Sequence, residues 1–222
     1  MKNPTIKIFL SFLILFSAVV FCGAQQNDGI TTPVKLSLFG IEDKIDSLPA
    51  GVSTVIGLDI GIFNTKTPTV YGFQFGGLGA QTDESYGFQF ATALANSKHY
   101  GIKSSFGATV GTTYGLDIAP VSAADVTGIS VNLIGLYDVE GIAFSIYKKN
   151  QIYDKGIIIN GFSNTHEIYG LQVGLVNYAD KFSGVQIGII NSTKQLTGVQ
   201  IGLWNMAYNG ILPYMPIFNA AF

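Results

Sequence analysis

The chain has 222 residues, of which only 12% are charged, and its formal net charge is −2. This length is enough for one large β domain, and the charged fraction is about half of the ~25% that is usual in soluble domains. The sequence contains no Arg, so we do not expect the basic stripe that binds nucleic acid. Mean hydropathy is only +0.38, because polar and apolar residues alternate, as in strands with one wet and one dry face.

Residues 1–24 have the pattern of a secretory signal peptide. Lys2 and Lys7 flank the start of an apolar run, and Cys22, Gly23 and Ala24 provide a small-residue cleavage site. The run is short for a membrane-spanning helix, which needs about 20 residues. We therefore predict that a cleaved signal exports the chain to the outer membrane or cell surface. Cys22, the only cysteine, is a candidate for lipid attachment, although the bulky residue before it is unusual at such a site.

The rest of the chain divides into two parts. Residues 25–52 form an N-terminal segment with one candidate strand from Val34 to Gly40, and residues 53–222 form a domain built from a repeat of about 14 residues. The clearest copies begin at Gly170 (GLQVGLVN), Gly184 (GVQIGIIN) and Gly198 (GVQIGLWN). Looser copies begin at Gly57, Gly72, Gly87, Gly101, Gly115, Gly128, Gly141 and Gly156.

Each unit alternates between apolar and polar positions. With the leading glycine as position 0, positions +1, +3 and +5 are mostly large and apolar and carry no charge, whereas +2 and +4 are mainly polar or small. This pattern predicts a strand of about eight residues with one apolar face, followed by a polar turn of about six residues. Turns this short favour antiparallel neighbours, because a parallel crossover usually needs a dozen or more residues.

We therefore predict an all-β fold, an antiparallel up-and-down meander of about 12 strands closed into an outer-membrane-type β-barrel with transmembrane strands. The apolar face would meet lipid, and the polar face would line the interior. Candidate lumen-lining residues are Gln172, Gln186 and Gln200. The structural alternative is that these glutamines are buried and hydrogen-bonded to one another. Candidate residues for aromatic girdles at the two membrane interfaces are Tyr71, Tyr86, Tyr100, Tyr114 and Tyr169.

A β-solenoid is the alternative fold. The predicted strands are short for a bilayer, where about 9–11 residues are expected, and the regular period suits a solenoid with two units, about 28 residues, in each coil. In a soluble solenoid the apolar face would point inwards, and the face of glutamine and glycine would meet water.

The GVQIGLWN-type copies, followed by LPYMPIFN at residues 212–219, resemble a family of bacterial surface-repeat proteins. Its members occur in spirochaetes and Bacteroidetes-like bacteria, and some are described as variable surface proteins. The resemblance is specific over residues 156–222 and weaker over residues 57–153. It implies a surface or outer-membrane location and brings no catalytic residues with it.

No arrangement of residues predicts enzyme chemistry. His99 and His166 fall in predicted turns without the further ligands that a metal site would need, and no cofactor motif is present. The predicted function is that of an outer-membrane barrel with a structural, antigenic or small-pore role, with the bilayer as its partner. The alternative is a surface-exposed soluble or lipid-anchored repeat module that binds host or matrix partners.

Overall fold

The computed structural model describes residues 29–40 and 47–222, and these form an all-β solenoid. The predicted signal peptide and Cys22 lie outside the described residues. The strands are β1 (Ile30–Ser37), β2 (Ser47–Leu48), β3 (Val52–Gly61), β4 (Asn64–Lys66), β5 (Thr69–Leu136), β6 (Val139–Lys149), β7 (Tyr153–Ala207) and β8 (Tyr214–Ala221). The strands β5 and β7 are so long because their extended backbone continues around the corners of successive coils.

Neighbouring coils pair in parallel, so the predicted antiparallel barrel with transmembrane strands is wrong. Gly72 pairs with Gly57, Gly141 with Gly128, and Gly156 with Gly141. Stacked side chains in neighbouring coils are 13 to 15 residues apart, so each repeat unit is one complete coil rather than half of one. Within the described residues, strands pair in antiparallel fashion at the two ends of the solenoid, where β2 pairs with β1 and β8 pairs with β7.

The segments predicted to be turns are the returning halves of the coils. In the coil that starts at Gly170, these residues are extended, and Asn177, Ala179 and Phe182 are buried. A parallel connection is therefore short here because the return is itself a strand, which closes the coil on a narrow interior. The two halves touch across that interior, as where Gln172 Nε2 donates to Ser163 Oγ at 2.7 Å.

The leading glycines form the corner at which one coil half turns into the next. Gly184 has φ +132° and Gly101 has φ +133°, a region that residues with a Cβ rarely adopt. A Cβ at Gly184 would also collide with the carbonyl oxygen of Gly170 in the coil before it. These two requirements explain why glycine recurs at the first position of every unit.

The polar positions of each unit point inwards and the apolar positions point outwards. Gln74 and Asp59 at position +2 are fully buried, whereas Phe73 is 56% exposed and Ile201 is 43% exposed. The expectation that a solenoid would bury its apolar face is therefore also wrong. The largest apolar core cluster comes instead from residues outside positions +1, +3 and +5. It consists of Val126, Tyr137, Val139, Ala143, Ile158, Ile168, Ala179, Phe182, Leu196, Ala207 and Ala221.

Candidate functional site

Amide side chains form ladders in the interior of the C-terminal coils. Gln200 Nε2 donates to Gln186 Oε1 at 2.8 Å, and Gln186 Nε2 donates to Gln172 Oε1 at 2.8 Å. These glutamines, considered above as lumen-lining residues, are all fully buried. A second ladder joins Asn177, Asn191 and Asn205 at 2.9 and 2.8 Å. Their hydrogen bonds run from coil to coil along the solenoid and hold neighbouring coils in register.

The central coils bury ionised side chains instead. Lys148 Nζ lies 3.1 Å from Asp154 Oδ1, and both side chains are fully buried. Burial lowers the pKa of Lys148 and raises the pKa of Asp154, and their mutual attraction opposes both shifts. Burial also lowers the pKa of Lys103 to about 8, against the attraction of Asp117. Desolvation of each charge is costly, and Lys148 Nζ also donates to the backbone carbonyl oxygen of Tyr137.

A serine and a histidine meet in the interior but cannot reach a substrate. Ser85 Oγ lies 2.8 Å from His99 Nδ1, and both residues are buried. His99 lies in strand β5 and His166 lies in strand β7, so neither histidine lies in a turn as predicted. Burial, and then the charge of Lys103, lower the pKa of His99 to about 4. The histidine is thus neutral at physiological pH and serves as a packed, hydrogen-bonded interior group.

A stack of tyrosine rings runs along the outside of the solenoid at the glycine corner. Tyr71, Tyr86, Tyr100 and Tyr114 lie on successive coils, with ring centroids 4.8 to 4.9 Å apart and planes within 9° of parallel. Because the strands are parallel, these residues line one edge instead of alternating between two rims, so the predicted girdles are wrong. Tyr169 lies further along the same corner, where its hydroxyl donates to Glu167 Oε2 at 2.9 Å.

The outward surface of the returning coil halves, which we call the tyrosine face, also carries charged residues of both signs. Lys181 Nζ lies 2.7 Å from Glu167 Oε1, and Lys194 Nζ lies 2.7 Å from Asp180 Oδ1. His166 Nδ1 approaches Asp180 Oδ2 at 2.9 Å. The hydrogen bonds from Lys194 and His166 lower the pKa of Asp180 to about 2. Charged partners therefore follow one another from coil to coil on the C-terminal part of this face, whereas the tyrosine stack lies on its N-terminal part.

The outward surface of the leading coil halves, which we call the apolar face, consists of the side chains at positions +1, +3 and +5. It carries no charge along its length. Its exposed members include Phe73, Phe75, Ile102, Phe106, Ile129, Val131, Leu133, Phe144, Ile146, Ile157, Ile159, Leu175, Val185, Ile187, Ile189, Ile201 and Leu203. A monomeric protein rarely exposes a contiguous apolar patch larger than a few hundred Å², so this face is a candidate interaction surface.

Sequence reasoning missed the tyrosine face because it assigned the returning halves to turns. A signal for it was present: buried asparagines recur at position +7 in Asn177, Asn191 and Asn205, and large apolar residues recur at position +12 in Ile168, Phe182 and Leu196. The second of these columns interrupts a polar segment at a fixed place in the units that start at Gly156, Gly170 and Gly184. That spacing predicts a second strand with its own buried side.

Comparison with known proteins found no matching family model, no matching curated protein and no matching solved structure. The resemblance to surface-repeat proteins therefore stays a prediction. Within residues 29–40 and 47–222, no group of three or more His, Cys, Asp or Glu side chains could hold a metal ion. The same residues contain no helix of the length and hydropathy that crossing a membrane requires.

Proposed function

We propose that the chain is a surface-exposed, non-catalytic repeat module that binds a host or matrix partner through its tyrosine face. The observation that carries this proposal is the stack of tyrosine rings at 4.8 to 4.9 Å, which follows the solenoid over successive coils. The signal-peptide pattern of residues 1–24 and the resemblance to surface-repeat proteins support a surface location. Cys22 offers a lipid anchor as one means of retention there.

Tyrosine is well suited to recognition because it combines a large apolar ring with a polar hydroxyl. Binding surfaces are enriched in it, and its truncation often causes large losses of affinity. In this ladder each inner ring, such as Tyr86 and Tyr100, packs between two others, while Tyr71 and Tyr114 at the ends are 44% and 39% exposed. Stacking already fixes the ring orientations, so little further side-chain entropy is lost on binding.

The surrounding charges add polar contacts to this surface. Tyr86 Oη donates to Glu84 Oε2 at 3.3 Å, and Tyr153 Oη donates to Glu140 Oε1 at 2.6 Å. The hydrogen bond to Glu140 raises the pKa of Tyr153, so its hydroxyl remains a donor at physiological pH. A surface with rings, hydroxyls and both signs of charge suits an extended protein partner of the matrix more than a small molecule.

Solid-phase binding of the full chain to immobilised laminin and fibronectin tests the proposal. We expect saturable binding to at least one of them, and we expect Tyr71→Ala and Tyr114→Ala together to weaken it by about tenfold or more. The matched control is Tyr208→Ala, because Tyr208 is an exposed tyrosine outside the stack. Absence of binding to either matrix protein, or equal affinity of the ladder and control variants, would contradict the proposal.

Location is tested separately by treating intact cells with a protease that does not cross the outer membrane. Surface exposure predicts that the chain is degraded while a periplasmic marker is preserved. Protection of the chain in intact cells, with degradation after lysis, would show that the module faces an internal compartment.

A further inference from the structure

We propose that two copies of this chain form a dimer by packing apolar face against apolar face. This inference goes beyond the proposed function, because it concerns the opposite surface of the solenoid and does not depend on what the tyrosine face binds. The apolar face favours a second copy through its chemistry, its size, its regular surface and the charges at its border.

The chemistry of the apolar face is that of a dimer core. Leu203 is 70% exposed and Phe106 is 73% exposed, and no charged residue occupies positions +1, +3 or +5. The cores of homodimer interfaces are similarly apolar and depleted of charge. The opposite surface, in contrast, carries the ion pairs of Lys181 and Lys194.

The apolar face has the area that a stable dimer needs. Strands spaced about 4.8 Å apart, with a rise of about 3.3 Å per residue, give it dimensions of roughly 50 Å by 20 Å. Its area is thus roughly 1,000 Å², whereas a standard interface buries about 800 Å² on each partner. A single partner of the same size and shape can cover it completely.

The apolar face has a regular surface, because equivalent apolar residues of neighbouring coils pair with one another. Leu58 pairs with Phe73, and Ile142 pairs with Ile129 and Ile157. Two packed sheets lie about 10 Å apart, and their side chains interdigitate. An isologous dimer uses the same patch on both subunits, and a face with repeated rows of aliphatic side chains is complementary to itself.

The charges at the border favour a second copy over a lipid bilayer. Surfaces that lie in a bilayer interface are usually flanked by Lys or Arg, which attract anionic lipids. The glycine corner beside this face instead carries both signs of charge, as at Glu140 and Lys155, each of which directly precedes a leading glycine. The sequence contains no Arg, and its net charge is −2.

Dimerisation would leave both tyrosine faces exposed, so that the assembly presents two of them. Two linked binding surfaces raise the apparent affinity for a repetitive partner without any new contact. It would also remove from water the apolar residues that the solenoid itself leaves uncovered.

Sedimentation velocity on the full chain tests the dimer, with a variant that places two charges on the apolar face, Phe144→Lys with Ile187→Lys. We expect a dimer for the unmodified chain and a dissociation constant at least about 100-fold weaker for this variant, because each lysine would be buried without a partner. The matched control carries the same charge change on exposed residues of the tyrosine face, Asn164→Lys with Gln195→Lys, and we expect it to remain dimeric.

A second measurement does not depend on folding of the charged variant. The photoreactive residue benzoylphenylalanine replaces Phe144, which keeps an aromatic ring on the apolar face. Irradiation should give a product of twice the chain mass, and the same residue in place of Asn164 should not. A monomer in detergent-free buffer without this product would overturn the proposal. Flotation of the monomer with vesicles of phosphatidylethanolamine and phosphatidylglycerol would overturn it in favour of lipid.

Discussion

The C-terminal coils, residues 156–207, and the central coils, residues 87–155, share one backbone path but fill their interiors differently. In the C-terminal coils, the ladder that ends in Gln200 and the ladder that ends in Asn205 repeat every 14 residues. Among the described residues of these coils, no charged side chain is buried. The central coils instead bury His99, Lys103 and Asp117.

This difference shows two ways of satisfying a polar interior. In an amide ladder, each side chain donates to the equivalent side chain of the preceding coil. The same hydrogen bond can therefore repeat in every coil, provided that the coil length stays constant. An ion pair satisfies only the polar groups of its own coil and of the adjacent coils, so it does not have to repeat along the solenoid. Coil length varies there: Gly141 pairs with Gly128 before it and with Gly156 after it, so one step is shorter than the other.

The largest effect is expected from Asp154→Ala, which removes one partner of the buried ion pair in the central coils. It leaves the fully buried Lys148 without its carboxylate, and loss of one partner of a buried ion pair costs about 3–5 kcal/mol. Urea unfolding followed by circular dichroism measures the loss. The control is Lys149→Met at the exposed neighbouring position, which should leave the midpoint unchanged.

The double variant Lys148→Met with Asp154→Asn completes this test. It removes both charges, and the amide oxygen at residue 154 can still accept from the backbone N–H of Val139, as Asp154 Oδ1 does at 2.9 Å. We expect it to recover most of the lost stability, since an isolated charge is no longer buried. Equal losses in the single and double variants would mean that burial of an isolated Lys148 charge is not what destabilises Asp154→Ala.

Both regions depend on the glycine corner, so Gly184→Ala and Gly101→Ala should destabilise them equally. Each substitution combines a strained φ with a clash against the carbonyl oxygen of the preceding coil, for a loss of about 3 kcal/mol. Gly51→Ala is the control, because its φ of +70° is also positive but no atom lies within 4 Å of the added Cβ. If it loses as much as the other two, strain alone explains the glycines and the close stacking does not.

The period and the alternation of the repeat could be predicted from the sequence, and so could the all-β class. The direction of pairing could not, because a segment such as residues 191–197 (NSTKQLT) is polar enough to resemble a turn. Its buried members, Asn191, Thr193 and Leu196, become recognisable only when neighbouring coils are aligned. The outward orientation of the apolar face was predicted together with the barrel, whereas the solenoid alternative reversed it, since burial of an uncharged apolar face is the usual rule for soluble proteins.

The central ionised residues could not be predicted as partners for a related reason. Lys148 and Asp154 stand in loosely matching units, and their contact depends on a coil that is longer than its neighbour. The tyrosines were singled out correctly as a set with a common position, but their stacking follows from parallel pairing. Because antiparallel pairing was predicted, the tyrosines were placed on two rims and not along one edge of the solenoid.

Acid should weaken the central coils through His99. Its pKa is lowered from 6.5 to about 4, so the unfolded chain binds a proton at a higher pH than the folded chain. Stability is therefore complete above pH 6.5, falls as the pH drops towards 4, and loses up to about 3 kcal/mol from this residue. Urea midpoints across that range for the unmodified chain and for His99→Gln measure the contribution.

Other carboxylates titrate in the same range, so the comparison between chains is what matters. We expect the loss between pH 6.5 and pH 4 to be smaller in His99→Gln than in the unmodified chain. Parallel curves for the two chains would show that the interior around His99 admits a proton without penalty.

The smallest effect is expected from Gln186→Leu, which interrupts the C-terminal ladder at its middle. Gln172 Oε1 loses its donor, whereas Gln200 Nε2 keeps the carbonyl oxygen of Met206 at 3.2 Å. One buried acceptor without a partner costs about 2 kcal/mol. The control is Ile158→Leu, which changes only the shape of an apolar residue at the same position two coils earlier and should cost less than about 1.5 kcal/mol. Because the leucine adds apolar burial, an unchanged or increased stability of Gln186→Leu would mean that volume, rather than hydrogen bonding between coils, is what this column of glutamines supplies.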